Sequence, residues 1–438
     1  MILLQFLDLI IFLLGAGGMI YQVLYFLVGF ISKPQTFPDA PEDKHYAVLI
    51  SARDEAQVIG NLIGSLKKQT YPMDLVDIWV VADNCTDDTA DVCRSLSCHV
   101  LERFNKQEVG KGYALKFLLN HIRDNGFSDI YDAYFIFDAD NLLDPHYIEE
   151  MNKAFQQGND AVTSYRNSTN LSENWVSAGS ALWFIFQSRL LNSGRSILGN
   201  NGWIGGTGFM FSKKIMERNA GWKFHLLTED VEFTMDCILS GDHIGYCSTA
   251  VFYDEQPVSF KQSWQQRVRW SKGFLQVFRY YGLSMIRWAI RERDLSAMDM
   301  TLTICPFMVL SVIRFGLGAI YAALGYVSWH SQLANFSTYW VSLVGAIVGF
   351  ILLAAFICIL ERKKINATNK ELVAYCLSFP WFMLSYVPIS FVAMFSKSRW
   401  QPIAHTGVAS LPPSPSLDQT SADSGKSPHG AGHTMKKK

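Results

Sequence analysis

The sequence predicts an α/β fold joined to α-helical membrane segments, with a domain of alternating strands and helices set between apolar helices. Three observations lead there. From about residue 33 to 294, short apolar runs that end in polar or acidic residues alternate with helical patterns. Apolar runs long enough to cross a bilayer, which takes about 20 residues, precede and follow that stretch. Of the 438 residues, 49% are hydrophobic and 18% charged, against roughly 25% charged in a soluble domain. Disordered, collagen-like and coiled-coil chains are excluded. A net charge of −1 gives no general ground for nucleic-acid binding, and no nucleic-acid partner is expected. The eight cysteines form no CxxC pair and no Cys/His zinc spacing, and read as reduced thiols.

The elements follow in chain order. Residues 2–31 are a nearly unbroken apolar run without the basic start and small-residue cleavage site of a signal peptide, so they read as a retained transmembrane helix. The first positive charge is Lys33, which by the positive-inside rule places the amino terminus outside and residue 33 onward in the cytosol. A buried strand is expected over 46–51, a helix over 56–69, a strand over 76–82 ending at Asp83, a helix over 86–96, and a strand over 134–137 ending at Asp138-Ala139-Asp140. Such alternation argues for a parallel sheet, and ligands bind beyond the carboxyl ends of its strands. Glu55, Asp83, Asp138 and Asp140 all fall there. Neither a GxGxxG fingerprint nor a GxxxxGK[ST] loop is present, so neither NAD chemistry nor P-loop hydrolysis is indicated.

Trp175, Trp183, Phe184 and Phe186, with few charges before Arg189, predict an interfacial helix over 173–193 that docks the domain on the bilayer. A buried core helix is the alternative. A further helix is expected from 259 to about 280. Apolar stretches then run over about 298–328, 339–360 and 371–395. Arg287, Arg291 and Arg293 flank the first, and Arg362, Lys363 and Lys364 follow the second, which makes both flanks cytosolic and the two stretches a pair of spans. The third holds Pro380 and Pro388 and is expected to double back or lie partly in the membrane, keeping Lys397 and Arg399 cytosolic. Residues 406–438, rich in Ser, Pro, Gly and Lys, read as a disordered tail. The expected organisation is a membrane helix over 1–32, a cytosolic domain over 33–258, amphipathic interface helices over 259–297, a membrane region over 298–396, and a cytosolic segment and tail over 397–438.

Three motifs carry chemistry. Asp138 and Asp140 share a face if the strand continues, and paired carboxylates there suit Mg2+ or Mn2+, able to neutralise a diphosphate leaving group. A surface turn is the alternative. Thr228-Glu229-Asp230 supplies an acid pair beside apolar residues, fit for a general base, or else a helix start capped by Thr228. Gln266, Arg269 and Trp270 fall on one helix face. Arginine offers a fork for phosphate oxygens and tryptophan a plate for a sugar ring. An amphipathic helix at the membrane surface reads the same residues in a compatible way.

DxD, TED and QxxRW in this order, framed by membrane helices, resemble the processive family 2 glycosyltransferases, such as cellulose, hyaluronan and poly-N-acetylglucosamine synthases. Ser51-Ala-Arg-Asp-Glu55, Val80-Val-Ala-Asp83, Gly110-Lys111-Gly112-Tyr-Ala-Leu115 and Trp203-Ile-Gly-Gly206-Thr207-Gly208 resemble further segments of that family. The resemblance implies a GT-A-like (Rossmann-like) domain and an inverting transfer from a UDP-sugar, UDP-glucose or UDP-N-acetylglucosamine, to a growing β-linked glycan. The product would cross the membrane through the enzyme's own helices in a multi-pass cell-membrane protein with its catalytic domain in the cytosol. It further implies that Glu55, Asp83 and Lys111 hold the nucleotide, Asp138 lies near ribose and diphosphate, and Asp140 ligates Mg2+ or Mn2+ with Asp138. Asp230 would be the base supported by Glu229, Gln266 and Arg269 would bind diphosphate, and Trp270, Gly206 and Thr207 would line the acceptor site. Trp400, in Ser398–His405, resembles the family's gating segments. The alternatives are a family member that places one sugar on a lipid carrier, and a transporter using Arg314 within the membrane.

Overall fold

Strand β1 (Tyr46–Ala52) is apolar on both faces, and its residues are almost all fully buried, as a strand central to a covered sheet must be. In the computed structural model, which describes residues 10, 20–306, 309–310, 316 and 329–397 (side chains of 329–339 excepted), it sits inside an eight-stranded sheet. The other strands are β2 (Val76–Asp83), β3 (His99–Arg103), β4 (Ala133–Asp138), β5 (Leu142–Leu143), β6 (Ala161–Ser168), β7 (Phe209–Ser212) and β8 (Ile244–Asp254), in spatial order β3-β2-β1-β4-β7-β6-β8-β5. Helices are α1 (Ile20–Ile31), α2 (Ile59–Leu66), α3 (Thr89–Ser95), α4 (Lys111–Asp124), α5 (Tyr147–Phe155), α6 (Trp175–Ile185), α7 (Ser193–Ile197), α8 (Lys213–Arg218), α9 (Glu229–Leu239), α10 (Phe260–Glu292), α11 (Leu295–Ile304), α12 (Trp329–Leu360), α13 (Asn369–Leu384) and α14 (Tyr386–Phe395).

Strand alternation divides the core. Tyr46, Val48 and Ile50 of β1 face α2, α3 and α5, while Ala47 and Leu49 face α4, α8 and α9. The three expected strands are present, each extended by a residue or more, and the expected helices over 56–69 and 86–96 shorten to α2 and α3. The sheet is not wholly parallel. β3, β2, β1 and β4 run parallel, but β7 is antiparallel to both β4 and β6. The reason is where the chain re-enters. The segment after α7 arrives at the carboxyl end of β4, where Asp138 bonds Thr207, so β7 can only run back along its neighbour.

Residues 173–193 differ from the expectation of an interfacial helix. Asn174 caps α6, accepting from the amides of Val176 (2.8 Å) and Ser177 (3.2 Å) in a capping box. The helix is then buried along most of its length. It packs on α12 and α13, and a π-helical stretch, Phe186–Asn192, continues it into α7. At Gly29 and Gly194 a β-carbon would come within 2.1 Å of Leu190 O and 2.2 Å of Tyr25 O, so α1 and this segment cross with backbones in contact.

Two described helices, Trp340–Leu360 and Asn369–Phe395, are long and apolar enough to cross a membrane. They form an antiparallel hairpin, with Phe350 near Phe379 and Cys358 near Cys376. The second lies along the α/β domain throughout. Tyr375 Oη donates to Ser172 O at 2.7 Å, Arg267 Nη1 of α10 donates to Phe382 O (3.1 Å) and Ser385 Oγ (2.7 Å), Val268 packs on Ile389 and Ala393, and Lys272 Nζ approaches Met394 O at 3.5 Å. The stretch expected to double back is instead one nearly continuous helical run, Asn369–Phe395, that follows the domain along its length. Most of 298–328, Arg314 included, lies outside the described residues, as does most of 1–19.

Two buried ion pairs join the domain to its helical frame. Arg189 Nε donates to Glu361 Oε1 at 2.9 Å, and Arg195 meets both oxygens of Asp299 at 2.7 and 3.2 Å. Arg195→Ala would leave Asp299 buried without its countercharge, a change that costs about 3–5 kcal/mol. The expected result is a clear fall in the melting temperature of the detergent-solubilised protein; unchanged melting would show that this contact does not hold α7 to α11.

Candidate active site

The site begins where strands end. Past β1, Asp54 takes φ +56°, and past β2, Asn84 takes φ +56°, a region that Asp and Asn tolerate through local hydrogen bonds. Asp54 Oδ1 accepts from Thr86 N at 2.6 Å, and Asn84 Oδ1 from Asn105 N at 2.9 Å. Between these turns Asp83 is buried, accepting from Arg103 Nη1 at 2.6 Å and Asn84 Nδ2 at 3.1 Å. Glu55 is half-buried, and burial together with the charges of Asp140, Asp138, Asp87 and Glu255 pushes its carboxyl up to about 9.

Lys111 opens α4. Gly110 before it has φ +132°, and Gly112 after it lies so close to Phe224 O that a β-carbon would come within 2.2 Å. Lys111 Nζ donates to Asp138 Oδ1 at 2.5 Å and Gly206 O at 2.8 Å. Burial works against its charge, but Asp138, Glu229 and Asp230 outweigh that and hold its pKa above the lysine norm. The loop it reaches is fixed residue by residue. Asn192 exchanges two hydrogen bonds with the backbone of Trp203, both 2.9 Å. Arg166 Nη1 donates to Gly205 O at 2.7 Å, and Thr207 Oγ1 accepts from Asp138 N at 2.8 Å while donating to Asn141 Oδ1 at 2.5 Å. Gly206, at φ +93°, faces Asp230 Oδ2, which a β-carbon there would approach to 4.0 Å.

Glu229 and Asp230 begin α9. Thr228 occupies the capping position, yet its hydroxyl makes no capping bond, so the cap expected from sequence is not formed. Thr228 packs instead against Gly273 of α10, where a β-carbon would meet it at 2.5 Å, and Glu232 closes the preceding turn by accepting from the amides of His225 and Leu226, each at 2.9 Å. Burial raises the carboxyls of Glu229 and Asp230 above their ordinary range, and Lys111 opposes the rise. On α10, burial lowers the pKa of Arg269, and the nearby charges of Glu229, Asp138 and Asp230 resist. Gln266 lies on the same helix face, half-buried. Trp270 meets Phe184 edge to face, centroids 5.8 Å apart, and Arg166 stacks on the other aromatic partner, its guanidinium carbon 3.5 Å from the Phe184 centroid.

The structure thus brings Glu55, Lys111, Asp138, Asp140, Gly206, Thr207, Glu229, Asp230 and Arg269 near one another at the carboxyl edge of the sheet, with Asp83 at the end of β2 and Trp270 beside Phe184. Trp400 lies outside the described residues. Sequence reasoning missed Arg103, Asn141, Arg166, Asn192, Asp254 and Glu255. The last two had a readable signal, an acid pair at the end of the apolar run 244–253, the same pattern that marked Asp138. The crowding that raises Glu55 is the chemistry of a cation site. Asp140 and Asp138 lie near enough for their charges to raise Glu55, whereas among the described residues the acids and thiol whose possible ligand atoms come within 4.8 Å of one another are Asp54, Cys85 and Asp87; carboxylate oxygens of either group are of the kind that hold Mg2+ or Mn2+.

Residues 41–273, just over half of the chain, match the family described as Glycosyltransferase like family 2, and the chain belongs to it. The fold is that of the GT-A glycosyltransferases. The chain is 26% identical over 252 residues to a Bacillus subtilis protein named "Probable glycosyltransferase YdaM", covering 52% of this chain and 54% of that one. It is 24% identical over 247 residues to the beta-monoglucosyldiacylglycerol synthase of Nostoc sp., covering 54% of this chain and 50% of that one. It is also 24% identical to the poly-beta-1,6-N-acetyl-D-glucosamine synthase of Staphylococcus epidermidis, covering 58% of this chain and 63% of that one. The chain therefore spans about half the length of the first of these curated relatives. Among solved structures, a mannosyltransferase of Pyrobaculum calidifontis, in complex with GDP-Man and Mn2+, superposes with TM-score 0.54 at 16% identity, over 89% of this chain and 99% of that one, and shares the fold.

Burial and the neighbouring acids push Glu55 up to about 9, and a cation held beside it would favour its ionised form, so cation binding at this site is expected to release a proton. Mn2+ affinity, read by the EPR signal of the free ion, is expected to rise from pH 6 to pH 9. Affinity flat with pH would place Glu55 outside the field of the ion.

Proposed function

We propose that this protein is a membrane-bound, inverting glycosyltransferase that uses a UDP-sugar, UDP-glucose or UDP-N-acetylglucosamine, to extend a β-linked glycan that then passes through its membrane helices. The observation that carries the reading is the meeting of Asp138, Glu229 and Asp230 with Lys111 and Arg269 at the carboxyl edge of the sheet.

In this reading Glu55, Asp83 and Lys111 hold the nucleotide, Asp138 lies against ribose and diphosphate, and Gln266 and Arg269 grip the diphosphate. When bound, Mg2+ or Mn2+ on Asp140 and Asp138 supplies positive charge to the leaving group. The acceptor sugar rests on Trp270 beside Gly206 and Thr207. Its hydroxyl passes a proton to Asp230 as its oxygen bonds the anomeric carbon from the side opposite UDP, which leaves with the electrons of the broken bond. An α-linked donor thus yields a β-glycoside. Burial makes Asp230 a stronger base than an exposed aspartate, and the charge of Lys111 opposes that rise. Arg269 faces the negative charge that builds on the diphosphate.

A second reading, one sugar placed on a lipid carrier, is supported by the packing of Asn369–Phe395 along the catalytic domain. A helix laid on that domain leaves fewer helices to surround a moving glycan. Purified protein with radiolabelled UDP-glucose or UDP-N-acetylglucosamine and Mg2+ or Mn2+ separates the two: a long product cut by β-specific hydrolases supports polymerisation, and a short, solvent-extractable product supports the lipid carrier. In either case Asp230→Asn is expected to lower transfer by about 10²–10⁴-fold, with UDP binding by calorimetry little changed. Near-normal turnover would remove Asp230 from the role of base.

A further inference from the structure

Arg166 lies in β6, outside every motif that marked the site from sequence, yet it touches each piece of the wall beside Trp270. Its Nε donates to Asp254 Oδ2 at 2.8 Å, its Nη2 bonds the same oxygen, and its Nη1 donates to Gly205 O at 2.7 Å. Its guanidinium plane covers Phe184, whose edge meets Trp270. Asp254 is buried at 4% exposure, and Arg166 takes only one of its oxygens, while Asp254 Oδ1 has no hydrogen-bond partner among the described residues. A buried carboxylate half-satisfied in this way holds its one cation strongly, since losing it would leave the whole charge unpaired. Arginine alone has the flat fork that can pair a carboxylate, reach a carbonyl and stack on a ring together.

The counterpart on the donor side is Lys111, which binds the next carbonyl, Gly206 O, and Asp138. Two cations therefore hold two consecutive carbonyls of one loop. Lys111 ties the loop to the carboxylate expected near the diphosphate, and Arg166 ties it to the aromatic wall.

We propose that Arg166 is a positioning residue for the acceptor sugar: through Gly205 and Phe184 it fixes the distance between Trp270 and Asp230 without touching the donor. The inference rests on the transferase reading given above, with Trp270 as acceptor plate. It separates two reactions of one site. Attack by the acceptor hydroxyl needs the wall, whereas attack by water on the same anomeric carbon needs only the donor, its diphosphate grip and the base.

The test compares wild type with Arg166→Gln and Phe184→Leu, the second of which loosens the wall while sparing the Arg166–Asp254 pair. Melting temperature establishes folding, calorimetry measures UDP affinity, and radiolabelled UDP-sugar follows glycosyl product and free sugar together. Both variants are expected to raise the acceptor KM and to lower the ratio of transfer to hydrolysis by tenfold or more. UDP affinity and the hydrolysis rate should stay within twofold of wild type. Arg166→Lys, which keeps the charge but loses the fork, should recover part of the ratio. Equal loss of transfer and hydrolysis, or an unchanged ratio in Phe184→Leu, would overturn the proposal. A wild-type protein that releases no UDP from any UDP-sugar would instead fail the transferase reading, which keeps the two failures distinct.

Discussion

The contact between Lys111 and Asp138 is the one on which the site depends. Glu55, Asp138, Asp140, Glu229 and Asp230 gather at the edge of the sheet, and unit charges about 4 Å apart cost roughly 4 kcal/mol in the dielectric near a protein surface. Burial first, and the charges of Asp140, Asp138, Asp87 and Glu255 after it, raise the carboxyl of Glu55. Lys111 and Arg269 carry the balance, and they act at different points. Lys111 bonds a carboxylate and a carbonyl directly, while Arg269, on α10, lies near Glu229, Asp138 and Asp230. Lys111 can do this only because Gly110 turns the chain at φ +132° and Gly112 lets α4 seat on Phe224. Two glycines thus set the charge balance of a site they never touch.

The segment Trp203–Thr207 has no regular structure of its own, yet side chains from the π-helical stretch, β6, α4 and the turn after β4 hold it. Each bond stabilises the fold by only about 1 kcal/mol. Their joint effect is geometric: the loop has little freedom left, so Gly206 stays beside Asp230 Oδ2. A left-handed residue without a side chain is needed there, since any β-carbon would both strain the backbone and narrow the approach to the acid.

The sequence made the parallel half of the sheet legible, because runs such as 46–51 and 76–82 are apolar on both faces and end in acids. It made the principal acids and the QxxRW helix legible for the same reason: local spacing on an element fixes which residues share a face. What it hid depended on distant partners. Arg166 looks like any polar residue of an edge-like strand until Asp254, 88 positions on, is folded against it. The direction of β7 follows from where a long excursion returns, and no local pattern encodes that. The helix over 173–193 was misjudged because a helix buried among other apolar helices and one lying in lipid carry the same residues; only Tyr375, Phe379 and Phe382 packed around it tell them apart. The missing cap at Thr228 has a similar cause, since the close pass of Gly273 occupies the hydroxyl's side of the turn.

One strand links the helical frame to the reactive wall. Tyr165 and Arg166 are neighbours on β6, so their side chains leave opposite faces. Tyr165 Oη donates to Glu361 Oε2 at 3.0 Å, at the end of α12, where Arg189 and Lys364 also meet that carboxylate. Arg166 reaches the Gly205 carbonyl and the Phe184 ring. A buried ion pair such as Arg189–Glu361 adds little net stability beside apolar packing, but it permits one register where apolar contact would permit several. The turn between α12 and α13 is therefore fixed relative to the strand that fixes the wall. β6 pairs with β7 over Ala161–Thr163 and with β8 along its whole length, and Arg166 N donates to Ser188 Oγ, so Tyr165 and Arg166 are held by β8 and by the π-helical stretch. The helical hairpin, through Glu361 and Tyr165, and the wall beside Trp270, through Arg166, are thus both tied to this one strand.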